Sequence, residues 1–317
     1  MNMCKGKIVI ALGGNALQSE KNEATAEAQL AVVKKTCEYI VGIVQEDYEI
    51  AIVHGNGPQV GRIVLASEIA SNITPAMPFD VCGAMSQGYI GYHIQQGMKA
   101  ALKKIVGREI PVITVVTQMV VSQDDPAFSN PSKPIGPFYS AEEARLLEKE
   151  KGYVMKEDAG RGFRRVVPSP KPVRIVELDT IKRLWDSTIM ITAGGGGIPV
   201  IEKPDGALEG VAAVIDKDFA AELLAEEVEA DALVVLTAVE KVSLHYNTPD
   251  QRELDRITAA EAEAYIAEGH FAPGSMLPKV QAAVKFAKAK PGNKAIITSL
   301  FKAIDALEGK TGTVITQ

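Results

Sequence analysis

A chain of 317 residues with 46% hydrophobic and 23% charged side chains is long enough to bury one large core or two modest ones. Its net charge of −6 sets aside a general nucleic-acid binder, which presents a basic face, and no stretch reaches the ~20 apolar residues of a membrane-spanning helix. Cys4, Cys37 and Cys82 form an odd set without metal-ligand spacing, which points to a reducing, cytoplasmic setting. The N-terminal apolar run, Ile8 to Leu12, is too short for a signal peptide, and none is expected.

Lys7 to Leu12 is a continuous apolar run of the kind found in strands buried on both faces of a parallel sheet, and it breaks at Gly13-Gly14-Asn15-Ala16. Glu23 to Gln45 is expected to be helical, with Ala26, Leu30, Val33, Cys37, Ile40 and Val44 forming one stripe. Ile50 to Val53 is a second strand and ends in His54-Gly55-Asn56-Gly57; Pro58 suits the first turn of the next helix. Two such units in succession predict βαβ alternation, and hence an α/β fold with a right-handed parallel sheet.

A helix from Gly83 to Ile105 and a strand from Ile110 to Thr117 follow. Residues 122–168 are rich in turn formers and charge, and are read as a small lid subdomain anchored by Phe128, Phe138, Tyr139 and Phe163. Alternation then resumes, with strands at Ile189–Ala193 and Ala232–Leu236 and helices at Asp218–Val228 and Ala259–Ala267. Ser243 to Asp255 is expected to be less ordered. Gly274 to Lys279 precedes a further helix with Val280, Ala283, Val284 and Ala287 on one side, and strands at Ile296–Ile297 and Gly312–Ile315 close the chain. No repeat, low-complexity tract or exposed linker divides it.

Familiar motifs fail. Gly309-Lys310-Thr311 has Ile304 where a P-loop needs glycine, and Gly55-x-Gly57 reaches its third glycine, Gly61, one residue late for a dinucleotide fingerprint. His54, His93, His245 and His270 are scattered and are read as structural, and Cys82 as a small buried hydrophobe. What remains is a run of four glycines, Gly194 to Gly197, and three lysines in unusual settings. Lys133 lies among prolines, Lys217 between Asp216 and Asp218 at a helix start, and Lys279 at the start of a further helix. Helix N-termini and ammonium groups around bare backbone suit an anion, most plainly a phosphate, and phosphoryl transfer asks the protein mainly for placed charge.

The segments ALGGNA (11–16), HGNGPQVG (54–61), NPSKPIGPF (130–138), KEDAGRGFRRVVPSPKP (156–172), GGGGIPV (194–200), VIDKDFA (214–220), LTAVEKV (236–242) and HFAPGSMLPKVQAA (270–283) together resemble the carbamate kinases of the amino acid kinase superfamily, from Lys7 to Thr313. The resemblance implies a three-layer αβα sandwich of residues 1–317 around a mainly parallel sheet, with a small protruding subdomain at 122–168. Its N-terminal half would bind carbamate and about 190–317 the nucleotide. It implies a homodimer and Mg²⁺-dependent transfer between ATP and carbamate, often run toward ATP in arginine or agmatine breakdown.

Carried over by motif, Lys217 and Lys279 would stabilise the migrating phosphoryl group, Asp218 would orient them, and Lys133 would reach in from the insert. Gly13, Gly14, Asn15, Gly55, Asn56 and Gly57 would meet carbamate and the γ-phosphate. Gly195, Gly196, Asp216, Thr237, Ala238, Tyr246 and Met276 would meet the nucleotide. Many superfamily members carry lysine two residues before the first glycine pair; here that residue is Ala11, and the resemblance implies that Lys133 replaces it. Neither a dedicated metal-ligand cluster nor a nucleic-acid or membrane partner is expected. The alternatives are another small-acid kinase of the superfamily, a nucleotide sensor without catalysis, and an NAD-dependent oxidoreductase, the last disfavoured by the failed fingerprint.

Overall fold

The computed structural model describes residues 5–18, 25–158 and 160–317, and of Asn15 and Ser187 the backbone alone. Cys4 and the start of the helix expected from Glu23 lie outside these residues.

The centre is an eight-stranded sheet. From edge to edge its strands are Arg256–Thr258, Thr313–Thr316, Lys294–Ser299, Ala232–Thr237, Gly6–Leu12, Tyr48–His54, Ile189–Ile191 and Val112–Thr114. Neighbours run parallel except Lys294–Ser299 against Thr313–Thr316. Successive strand side chains point to opposite faces, and the apolar runs satisfy both. Val9 and Ala11 join the core under helices Lys217–Glu227, Ala259–Ala267 and Met276–Ala289, whereas Ile8, Ile10 and Leu12 face Ala26–Gln45 and Phe79–Ile105. The result is a three-layer α/β sandwich.

Thr25 caps the first long helix by accepting from the Ala28 amide, and Val33, Cys37, Ile40 and Val44 form its buried stripe, while Ala26 is exposed. The helix expected from Gly83 starts earlier, at Phe79, directly after Pro78. The strand expected over Ile110–Thr117 is broken: Val112–Thr114 stays in the main sheet, and Gln118–Val121 joins a separate four-stranded sheet. The buried Gln87 explains the break. Its amide accepts from the Thr117 N–H at 2.8 Å and donates to the Thr117 carbonyl at 3.1 Å, so the chain leaves the sheet there. Ser243 to Asp255 is more regular than expected, pairing Ser243–Leu244 with Arg252–Glu253 over a buried Leu244.

Within 122–168, Lys133–Tyr139, Phe163–Val167 and Val154–Glu157 make a three-stranded antiparallel sheet carrying the helix Ala141–Lys151. That helix has a reciprocal Ser140–Glu143 capping box and ends on Gly152 at φ 65°, as its sequence dictates. Phe128 packs on the main core. Phe138 does not act as a buried anchor: it is 41% exposed, and Arg161 and Arg164 lie over its ring. Gly61 and Gly136 bring the insert onto the helix Gly57–Ile69, so closely that a Cβ on Gly61 would lie 2.2 Å from the Gly136 Cα.

Candidate active site

Leu12 is level with Leu236 on one side and His54 on the other, so three strands end together and release Gly13, Gly55 and Thr237 along one rim. The chain steps from Gly6–Leu12 to Tyr48–His54 on one side and returns later to Ala232–Thr237 on the other. A crevice outside the carboxyl ends of parallel strands at such a reversal is where α/β sheets bind ligands.

Two carboxylates organise the charges there. Asp216 caps the helix Lys217–Glu227, accepting from the Asp218 amide at 2.9 Å through one oxygen and from Lys133 Nζ at 2.6 Å through the other. Asp218, 1% exposed, takes Lys217 Nζ at 2.5 Å and Lys279 Nζ at 2.9 Å on its two oxygens. Burial pushes the Asp216 carboxyl up, but Lys133 and Lys217 outweigh it and hold the group well below the usual carboxylate range. Burial pushes the Lys217 ammonium down, against the pull of Asp218. Three lysines held by two aspartates leave one positive charge at the site, beside the N-termini of the helices Gly57–Ile69 and Met276–Ala289, neither of which has a side-chain cap. The array is built for an anion.

Lys279 lies in the first turn of its helix, which takes in Met276–Leu277–Pro278 because proline is tolerated where no N–H partner is required. The same helix is tied to its neighbour by Lys285, whose Nζ meets the buried Glu222 at 2.7 Å. This contact fixes the register in which Lys279 reaches Asp218.

Bare backbone lets the strand ends close around the charges. The Lys217 stem passes 3.5 Å from where a Gly55 Cβ would stand. Gly195, at φ 67°, presses on Asn56, where a Cβ would be 2.2 Å from the side-chain nitrogen. Asn56 in turn donates to Ser86 Oγ at 2.8 Å, and Gln87 donates to the Gly194 carbonyl at 2.9 Å. His54 is wholly buried behind this layer. Its Nδ1 donates to the Gly55 carbonyl at 2.8 Å, its Nε2 has no partner among the described residues, and burial pulls its pKa down to about 4. Neutral His54 is a support, in keeping with the structural role expected of the histidines.

Two cavities meet at the lysines. The smaller, about 170 Å³, is lined by Gly14, Gly55, Asn56, Gly57, Lys133, Gly195, Asp216, Lys217, Asp218 and Lys279. The larger, about 460 Å³, runs past Gly13, Gly14, Thr237 and Ala238 and shares Gly14, Lys217, Gly274 and Lys279 with the smaller. Asp216 and Gly195, assigned above to the nucleotide, therefore lie on the smaller cavity. Gly196 lines neither, since its backbone packs on the Ile215 carbonyl. Met276 packs against the core, and Tyr246 lies in the turn after Leu244, 64% exposed, outside both linings. Asn15 belongs to the turn Gly14–Ala16, and its side chain lies outside the described residues.

Some lining residues escaped the sequence analysis. Ser299, Leu300 and Phe301 line the larger cavity. Their signal was positional: they end and follow a strand adjacent to Ala232–Thr237, and parallel strand ends share a ligand crevice. Ile135 and Val214, which wall the smaller cavity, carried no signal beyond hydrophobicity. Among the described residues no group of three or more His, Cys, Asp or Glu side chains converges, and no helix is long and apolar enough to cross a membrane.

A rim of strand ends with a lysine–aspartate array between two cavities defines a phosphotransferase of the amino acid kinase type, and a model of the amino acid kinase family matches residues 6–299. The chain is 55% identical to the carbamate kinase of Clostridium perfringens over 98% of its length and 99% of the relative's, and 53% identical to that of Pyrococcus horikoshii over the same shares. The structure of carbamate kinase from Giardia lamblia bound to AMP-PNP matches with a TM-score of 0.91 and 44% identity, covering 99% of each chain. The chain belongs to the amino acid kinase family and, within it, to the carbamate kinases.

Proposed function

We propose that the protein transfers a phosphoryl group reversibly between ATP and carbamate, giving ADP and carbamoyl phosphate. The observation that carries this reading is the Asp218 hub, which presents Lys217 and Lys279 where the two cavities join. A nucleotide fits the larger space, with its phosphates directed at Gly14 and the two lysines. Carbamate, small, planar and already anionic, fits the smaller one and needs no general base. Its oxygen attacks the γ-phosphorus, the bond to the β–γ bridging oxygen breaks, and the negative charge passes to ADP. The three lysines and the helix N-termini hold that charge throughout, so positioning and electrostatics supply the catalysis. Lys133 takes the place of the absent lysine at Ala11 and completes the site from the insert, whose closure over bound substrate we include in the proposal.

The donor set bears on magnesium. Both aspartates at the site are already engaged by lysines, so the described residues build no cage for the ion. That suits an ion that would arrive on the nucleotide with most of its waters and would supply neutralisation of phosphate charge beside Lys217 and Lys279. Homodimer formation is also proposed. Val81, Met85, Gly88 and Tyr92 recur on one exposed side of the helix Phe79–Ile105, an apolar seam suited to a second copy. The physiological direction proposed, ATP synthesis during arginine or agmatine breakdown in the cytoplasm, rests on the family resemblance.

ATP formation from ADP, Mg²⁺ and carbamoyl phosphate tests the function, with acetate, acetylglutamate and UMP as rival phosphoryl acceptors from ATP. Rapid ATP synthesis that Lys217→Ala lowers about 10³-fold is expected. A folded protein that binds ADP but makes no ATP refutes the assignment.

A further inference from the structure

Lys133 reaches Asp216 from the insert, and the insert is also bound at the far end of the helix Gly57–Ile69. That helix begins at the smaller cavity and reaches Glu68 about 16 Å away, at 1.5 Å per residue. Glu68 is the meeting point of three side chains from the insert. Lys151 Nζ lies 2.8 Å from one carboxylate oxygen, and Arg165 Nη1 lies 3.2 Å from the other, which also accepts the Tyr153 hydroxyl proton. The Arg165 guanidinium stacks on the Tyr153 ring at 3.7 Å and lies against Phe79 at 5.7 Å. Burial pushes the Glu68 carboxyl up, but Lys151, Tyr153 and Arg165 prevail and hold it below its ordinary value, so it stays charged.

The path to the site is short. Arg165 pairs across the insert's sheet with Ile135, and Val167 with Lys133 itself. Fixing Arg165 therefore fixes the strand that carries Lys133 within two residues. The Gly61–Gly136 approach gives a second contact nearer the start of the same helix, and Ile135 and Val167 pack with Val214, two residues before Asp216.

We propose that Glu68 is a positioning residue for Lys133: its ionic and hydrogen-bonded hold on Lys151, Tyr153 and Arg165 keeps the insert where Lys133 Nζ meets the reacting phosphoryl group. The inference rests on the role assigned to Lys133 above. Glu68 lines neither of the two cavities, so its removal is expected to act through Lys133 on the carbamoyl phosphate side of the reaction and to leave ADP binding alone.

The test is a double-mutant cycle of Glu68→Gln and Lys133→Ala, read by ATP synthesis and by hydrogen exchange of residues 133–139 and 163–167. Glu68→Gln is expected to lower kcat/KM for carbamoyl phosphate about 10-fold, keep KM for ADP within about 2-fold, and speed exchange in both strands. In the Lys133→Ala background it is expected to add less than about 2-fold. Should Glu68→Gln fail to fold, Tyr153→Phe, which removes one hydroxyl, takes its place with the same expectations. Parent-like activity and exchange in Glu68→Gln, or an equal loss in both backgrounds, overturns the inference. If Lys133→Ala turns over like the parent, the reading of Lys133 falls and the inference falls with it, an outcome distinct from an inactive Lys133→Ala beside an unaffected Glu68→Gln.

Discussion

The site has two kinds of positive charge, and they are mounted differently. Lys217 and Lys279 come from two helices packed on the same face of the main sheet, tied together by Asp218 and again by Glu222–Lys285. Their geometry is set by the core and exists before any ligand arrives. Lys133 comes from a small antiparallel sheet attached through a glycine contact and the Glu68 cluster. Its side chain remains 29% exposed where that of Lys217 is 12%. A preorganised pair costs no rearrangement during reaction, whereas a charge on an insert can withdraw to admit substrate. On the proposed reaction, this division would separate stabilisation of the phosphoryl group from access to it.

The difference gives an order of expected effects. Lys217→Ala removes a desolvated charge from the fixed half and is expected to lower kcat for ATP synthesis about 10³-fold, measured by coupled assay. Asp218→Asn leaves both lysines but loosens them. A loss of about 10²-fold in kcat is expected, and parent-like turnover would show that the lysines need no holder. Gly61→Ala acts on the hinged half alone, because its Cβ meets Gly136 backbone on the insert. It is expected to lower kcat/KM for carbamoyl phosphate about 10-fold while calorimetric ADP affinity stays unchanged; a matching loss of ADP affinity would show that the halves are not separable.

The smallest effect at neutral pH concerns His54, beneath the fixed half. Its folded pKa, about 4, lies below its unfolded value of 6.5, so the unfolded chain binds the extra proton first. The stability due to neutral burial is complete above pH 6.5 and is lost as pH falls toward 4, by roughly 3 kcal/mol at that point. Urea denaturation at pH 7 and pH 4.5 is expected to show a smaller pH dependence in His54→Asn than in the parent. An unchanged slope would mean that His54 is protonated in the folded state.

Much of this was legible in order along the chain. Apolar runs such as Lys7–Leu12 and Ala232–Leu236 mark buried parallel strands because nothing else needs both faces greasy, and Asp216-Lys217-Asp218 marks a charged helix start because carboxylates suit that end. What the sequence alone determined is therefore local: strand, helix, cap and the bare glycine ends. The tertiary structure decided which of those pieces meet. Nothing in the neighbourhood of Gln87 shows that its amide will turn the chain at Thr117, 30 residues on. Nothing near Lys279 shows that it will share one carboxylate with Lys217, and Glu68 resembles any surface glutamate until Lys151, Tyr153 and Arg165 arrive from the insert. Periodicity and propensity act over a few residues, whereas a hydrogen bond or ion pair between distant segments exists only once the sheet has set the distance between them.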